Sequence, residues 1–245
     1  MPNPYFRFQQ FTIRHDRSAM KVGTDGVLLG AWAGKGMAAQ NADCTNNAKM
    51  KILDIGTGTG LLALMLAQRF PSAQIVGIDI DKESLLQAQE NVNASPFSNR
   101  IFIKEQDFSS FNKSSSKYNL IVSNPPFYEE DTLSGNDARD AARHTHALPF
   151  EALIGNTEKL LSDEGQFCVI IPFQSAAGFI SMCAQHRLFL QRRLDVKSSE
   201  RKPYKRSLLT FGHSIKEAEY DTLQLYSSGN NRSEDYAQLT QDFYL

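Results

Sequence analysis

The chain has 245 residues, 26 Lys and Arg against 27 Asp and Glu for a formal net charge of −1, and a hydrophobic fraction of 41%. That is enough for one large domain, or at most two small ones, with a substantial core; it excludes an intrinsically disordered chain, and no apolar run approaches the ~18 residues of a membrane span. Near-neutral charge argues at face value against a nucleic-acid partner, which an excess of Lys and Arg usually announces.

Three cysteines, Cys44, Cys168 and Cys183, are an odd number at wide spacings. They fit neither a disulfide framework nor a zinc cluster and read as reduced thiols. The opening Met-Pro-Asn-Pro-Tyr-Phe lacks the basic start and apolar stretch of a signal peptide, so the expected location is the cytoplasm.

In chain order, short apolar runs alternate with helical patterns. Residues 34–50 are polar and small, and read as a surface loop. The spacing then predicts a strand over 51–55, a helix over 61–70, a strand over 74–79 and a helix over 82–94 with Asp81 as its cap. Strands follow over 100–103 and 118–122, with 114–117 as a loop between them. A helix enters through Pro149 over 150–161, followed by a strand over 165–171 and a helix over 174–187. This alternation is the mark of a doubly wound α/β domain. Residues 187–196 and 207–211 then read as two strands joined by a polar turn, an antiparallel hairpin on the sheet edge. From Glu217 onward the tail is acidic and polar, and is expected to be irregular or weakly helical.

The predicted first strand runs into Asp54-Ile-Gly56-Thr-Gly58-Thr-Gly60 ahead of a helix. Glycines there permit a tight turn and close approach to a ligand, beside the free N–H groups of the helix start. The run is G-x-G-x-G with Leu61 where a dinucleotide fingerprint needs its third glycine, and no Gly-Lys-Ser/Thr follows for a phosphate loop. The acidic-x-G-x-G-x-G form resembles the glycine loop of class I S-adenosylmethionine methyltransferases. Asp79, at the tip of the predicted second strand, is placed to accept both hydroxyls of a ribose. Asp107, after the third, matches the position where such enzymes set an acidic residue by the adenine amino group, with Phe108 as aromatic neighbour.

After the fourth strand comes Ser123-Asn124-Pro125-Pro126-Phe127. Two prolines fix the backbone and remove two donors, leaving the carbonyls of Asn124 and Pro125 free to point into a pocket. An exocyclic amine is a poor nucleophile because its lone pair is delocalised into the ring. Accepting its N–H bonds through the Asn124 side-chain oxygen and the Pro125 carbonyl aims that lone pair at a methyl group, with Phe127 stacked on the base. The Asn-Pro-Pro-aromatic sequence is similar to that of amino methyltransferases acting on adenine N6, guanine N2 or a glutamine amide, and leaves the acceptor open among these.

The stretch Phe11-Thr-Ile-Arg14-His15-Asp16-Arg17 through Lys21-Val-Gly-Thr24-Asp25-Gly26 to Trp32, with Ala142-Arg143-His144 and Leu148-Pro149-Phe150, closely resembles the tRNA1(Val) adenine-37 N6-methyltransferase family up to about Phe211. The resemblance implies a Rossmann-like class I methyltransferase fold: a seven-stranded, mostly parallel sheet ending in an antiparallel hairpin. It implies a single domain over 1–245, with 1–33 facing cofactor and RNA, a core over 51–213 and a tail over 214–245. It also implies S-adenosylmethionine as cofactor, tRNA as substrate, and a monomer with no membrane or obligate protein partner. Lys21, Thr24 and Asp25 are carried over as bordering the methionine end of the cofactor, beside Asp54, Gly56, Gly58, Gly60, Asp79, Asp107 and Asn124. Catalysis falls to Asn124, Pro125, Pro126 and Phe127. Members often have Tyr after the two prolines, where this chain has Phe127 and then Tyr128. A guanine-N2 or glutamine-N5 methyltransferase shares the loop but has a longer or differently appended chain, and a non-catalytic S-adenosylmethionine/RNA-binding module is the rival of another class.

His144 and His146 are two apart with no third ligand pattern nearby, so no metal is expected. From Arg187 to Arg206 there are eight basic residues against two acidic ones, and the first 21 residues hold four against one. Two basic segments in a near-neutral chain point to RNA contact, assigned to Arg14, Arg17, Arg143, His144, Arg192, Arg193, Arg201, Lys202, Lys205 and Arg206.

Overall fold

Every residue from Gly26 to Gly34 is buried, which a helix achieves only when covered on all sides. In the computed structural model, which describes residues 3–18, 21–37, 49–110, 117–126, 148–227 and 231–245, this stretch is α1 (Thr24–Trp32), preceded by a small antiparallel hairpin of β1 (Tyr5–Arg7) and β2 (Thr12–Arg14). None of the three was expected from the sequence. The hairpin strands are too short to show a period, and α1 has apolar residues all round instead of a stripe.

The central sheet comprises β3 (Lys51–Ile55), β4 (Gln74–Asp79), β5 (Ile101–Glu105), β6 (Tyr118–Ser123), β7 (Leu161–Pro172), β8 (Phe189–Lys197), β9 (Tyr204–Gly212) and β10 (Glu219–Gln224). Its order is β10-β8-β9-β7-β6-β3-β4-β5; β9 runs antiparallel to both neighbours and all other pairs are parallel. Between the strands lie α2 (Leu61–Arg69), α3 (Lys82–Asn93), α4 (Phe150–Leu160) and α5 (Ala176–Gln185), with Asp81 capping α3 by accepting from Ser84 N at 3.0 Å. Among the described residues no helix is long and apolar enough to cross a membrane.

Strand alternation divides the core in two. Ile52, Leu120, Val122, Cys168, Ile170 and Leu208 face α1 and α2, while Leu53, Ile121, Phe167, Val169, Leu209 and Phe211 face α4 and α5. The α1–α2 contact is close because α1 turns Gly26 and Gly30 toward its neighbour: a Cβ on Gly30 would stand 2.5 Å from Met65 Sδ, and one on Gly26 2.9 Å from a Leu61 methyl.

The expected seven strands are eight, and the tail, expected to be irregular or weakly helical, is in part regular. The tail supplies an eighth strand, β10, parallel to β8, and then α6 (Glu234–Thr240), whose cap Ser233 accepts from Tyr236 N at 3.1 Å. Tyr236 and Phe243 are buried at 3% and 1% exposure, and Gln9 N donates to Phe243 O, clasping the two ends of the chain. β10 escaped notice because it is an edge strand whose inward face carries one buried apolar residue, Leu223. The expected helix over 174–187 starts later, after a 3-10 turn at Phe173–Ser175. Most of the loop expected over 34–50, and most of that over 114–117, lies outside the described residues.

Candidate active site

At the end of β3 the chain turns through Gly56, Gly58 and Gly60 at φ of 71°, 53° and 81°, left-handed values that favour glycine. The turn is tied down from outside. Gly56 N and Thr57 N both donate to Ile78 O at 2.9 Å, and Gly58 N donates to Asp79 Oδ2 at 2.8 Å. A Cβ placed on Gly56 or Gly58 would meet nothing within 4 Å among the described residues, so the inner side of the loop is open. One on Gly60 would touch Ala88 of α3 at 3.4 Å.

Asp54 is fully buried beneath this loop. Thr57 Oγ1 donates to its Oδ2 at 2.6 Å, while Oδ1 has no hydrogen-bond partner. Burial, opposed by the Thr57 bond and reinforced by the charge of Asp79, pushes the carboxyl up to about 7. At the tip of β4, Asp79 Oδ1 accepts from Ile80 N at 2.8 Å and Asp81 N at 3.0 Å. Three backbone donors thus fix this carboxylate, leaving one of its roughly four acceptor positions. Asp107 is exposed after β5 and accepts from Ser109 N at 2.8 Å. Its neighbour Phe108, the expected aromatic, is 3% exposed and packs in the core.

Ser123, the last residue of β6, donates from Oγ to Ile55 O at 3.0 Å and pairs in register with Ile55. Asn124 and Gly56 therefore leave two adjacent parallel strands side by side, about 5 Å apart, at the carboxyl edge where open α/β sheets bind ligands. Asn124 is half-buried, Pro125 buried and Pro126 exposed, and the Asn124 side chain makes no hydrogen bond to the described residues. Phe127, Tyr128, Arg143, His144 and His146 lie outside the described residues.

The N-terminal segment reaches the site over α3. Asn91 accepts from Arg14 N at 2.8 Å and donates to Arg14 O and to Thr59 O in the glycine loop, both at 2.9 Å. Gln87 accepts from Arg17 N at 3.0 Å, and Arg17 pairs with Glu90 at 2.9 Å on the surface. Sequence reasoning missed Gln87 and Asn91. Their signal was present: Ser84, Gln87 and Asn91 are polar residues at helical spacing on the buried face of α3, where apolar ones belong. Asp25, in the first turn of α1, accepts from Arg206 Nε at 2.8 Å, with Lys21 and Thr24 exposed beside it.

The basic cluster predicted along β8 and β9 divides. Arg192 lies 4.9 Å over the Trp32 ring and pairs with Glu219 at 3.3 Å. Arg193 donates to both oxygens of Asp195 at 2.9 and 3.0 Å and is 17% exposed. Arg201, Lys202 and Lys205 stand exposed in and beside the β8–β9 turn. Cys168 and Cys183 are buried, and burial raises both thiols above their ordinary range. Among the described residues no group of three or more His, Cys, Asp or Glu is placed to hold a metal ion.

With this geometry in view, the chain matches the Methyltransferase small domain family over residues 37–176. A tRNA1(Val) (adenine(37)-N6)-methyltransferase of Phocaeicola vulgatus is 44% identical over 100% of this chain and 99% of its own length. The protein of the same name from Bacteroides thetaiotaomicron is 42% identical, again over 100% and 99%. The fold is similar to that of an Agrobacterium tumefaciens protein described as a predicted O-methyltransferase, with a TM-score of 0.66 at 18% identity over 89% of this chain and 96% of that one.

Proposed function

Because the chain belongs to the tRNA1(Val) (adenine(37)-N6)-methyltransferase family, we propose that it methylates N6 of an adenine in tRNA, adenine 37 of tRNA1(Val), with S-adenosylmethionine as donor. The observation that carries this reading is the register pair Ile55 and Ser123, which sets the open glycine loop and Asn124-Pro125-Pro126 side by side.

The residues present fit the cofactor. Gly56 and Gly58 leave the space a Cβ would fill, Asp79 keeps one acceptor position at the strand tip for a ribose hydroxyl, where the sequence suggested both, and Asp54 holds a buried, unpartnered oxygen beneath the loop. Gly60 shapes the entry to α2; by the family resemblance Asp107 would take the adenine end, and Lys21, Thr24 and Asp25 would border the methionine end. When bound, S-adenosylmethionine would supply the methyl group, its sulfonium S–CH3 bond breaking as the N–C bond forms and S-adenosylhomocysteine leaving. Asn124 accepts one N–H of the target amine through its side-chain oxygen and Pro125 accepts the other through its carbonyl, which turns the nitrogen lone pair toward the donor. Pro126 fixes the loop and Phe127 covers the base. The proton released from the methylated amine passes to solvent.

The adenine must leave its stack to enter such a pocket, and a single-stranded anticodon loop makes that cheap. A tRNA substrate places the enzyme in the cytoplasm. The test is incubation of the purified protein with labelled S-adenosylmethionine and unmodified tRNA. N6-methyladenosine is the expected product; label in another nucleoside, or in protein after nuclease treatment, overturns the assignment.

A further inference from the structure

The rim of the sheet beside the proposed site carries a pair of aromatic rings that cofactor binding leaves unexplained. β7 pairs Val169 with Ser123 and continues to Pro172, so it overshoots the end of β6 by three residues, roughly 10 Å. Phe173 sits on that tip. Its ring stacks on Tyr204 with centroids 5.3 Å apart and planes inclined by 29°, and both rings are partly exposed.

The strand register has been adjusted to make this contact. Val196 pairs with Arg206 but Lys197 pairs with Tyr204, so Lys205 is an extra residue in β9. Strict alternation would turn Tyr204 to the face of Arg206 and Leu208, toward α1; the extra residue re-aims it to the face of Phe173. The pair is held from behind. Arg193 lies 5.3 Å over the Phe173 ring and is itself fixed by Asp195, which also accepts from Ser207 Oγ at 2.5 Å. Lys197 lies 5.8 Å over Tyr204, anchored by a single exposed hydrogen bond of 3.2 Å to Glu200 O. Arg206 pairs with Pro172 in the ladder and binds Asp25, so the ledge is continuous with the N-terminal segment bordering the glycine loop.

Partly exposed rings backed by Arg193 and Lys197, with Arg201, Lys202 and Lys205 exposed in and beside the adjoining β8–β9 turn, suit an occupant that is flat, has a π face and carries negative charge. Resting on the tRNA methyltransferase reading above, we propose that Phe173 and Tyr204 form a stacking platform for the nucleobase next to the target adenine. Lys197 moves off the Tyr204 ring to the phosphate of that nucleotide, and Arg201, Lys202 and Lys205 take the phosphates beyond it. The platform holds the neighbouring base while the target is splayed into the pocket at Asn124.

The test uses the full chain and an anticodon stem-loop in which 2-aminopurine replaces the nucleotide on either side of the target adenine, one side at a time. One of the two probes is expected to be quenched on binding the wild-type enzyme and not on binding Tyr204→Leu. Base–aromatic stacking predicts a rise in KM for tRNA of about 5- to 150-fold in Tyr204→Leu, with kcat at saturation and S-adenosylmethionine affinity unchanged. Tyr204→Phe should behave as wild type in both readouts. A wild-type KM for Tyr204→Leu, or quenching by Tyr204→Leu as strong as by the wild type, overturns the platform while leaving the methyltransferase activity standing. Absence of tRNA methylation by the wild-type enzyme refutes the activity and the platform with it.

Discussion

Replacing Asp54 by Asn should flatten the dependence of stability on pH. In the folded protein the carboxyl is raised from 3.8 to about 7, chiefly by burial. The folded state therefore keeps a proton that the unfolded chain has released, and stability must fall as pH rises between those two values. The stabilising effect is complete below the unfolded pKa and is lost as pH passes the folded one. A shift of about three units corresponds to about 4 kcal/mol over the whole window, of which about 3 kcal/mol falls between about pH 5 and pH 8. No solvent-screening discount applies, since Asp54 is 0% exposed. Asn keeps the shape and can still accept from Thr57 Oγ1 through its amide oxygen, but it does not titrate. The assay is urea unfolding of the cofactor-free protein at several pH values for both proteins. Other carboxylates contribute equally to both curves, so the difference isolates Asp54. The wild type should lose about 3 kcal/mol relative to Asp54→Asn across that interval, equivalent to about 6–12 °C in Tm. Parallel curves would refute the account of Asp54 as a desolvated acid beneath the glycine loop.

Asn124→Ala removes one acceptor for the target amine and should lower kcat about 100- to 1,000-fold, far more than it weakens S-adenosylmethionine binding by calorimetry; an equal loss of both would contradict its role. Asn91→Ala leaves Arg14 N, Arg14 O and Thr59 O without partners and should cost about 2 kcal/mol or more in urea unfolding, whereas Arg17→Ala, which breaks only an exposed pair, should cost under about 1 kcal/mol. Deleting 233–245 strips Tyr236 and Phe243 from the core and should destabilise by about 3–6 kcal/mol by the same measurement. Neutralising Arg201, Lys202 and Lys205 together should reduce the slope of log K for tRNA against log salt by about 2, read by filter binding over a salt series.

The centre of the parallel sheet was legible because β3 and β6 are covered on both faces. Ile52 to Ile55 and Leu120 to Ser123 are buried residue after residue, and such runs announce themselves in any sequence. The glycine loop was legible for a different reason: φ values of 71°, 53° and 81° leave few alternatives to glycine, so the backbone conformation is written directly into composition. The elements that stayed hidden depend on partners far away in the chain. β10 shows one inward residue because β8 shields only its edge, and β1 and β2 are held by Gln9, by Asn91 and by the C-terminal residues Phe243 and Tyr244. Asn91 illustrates the limit well. A buried amide on a helix is costly in itself and becomes favourable only through Arg14 and Thr59, which lie 77 and 32 residues away.

Charge reads worst along a chain and best in three dimensions. Arg192 and Arg193 are adjacent in sequence, yet strand alternation sends the first against Trp32 and the second against Phe173, on opposite faces of the sheet. Each is met there by its own acid, Glu219 and Asp195, and Arg206 by Asp25. A basic count taken over a strand therefore overstates the cations facing solvent by those that a pleated, half-covered surface turns inward. Residues of a turn have no interior to face, which is why Arg201 and Lys202 remain exposed and Lys205, the extra residue of β9, joins them. Arg193 backs the Phe173 ring and Arg206 ties the rim to the first turn of α1, so their substitution should disturb the shape of the site before it disturbs the charge.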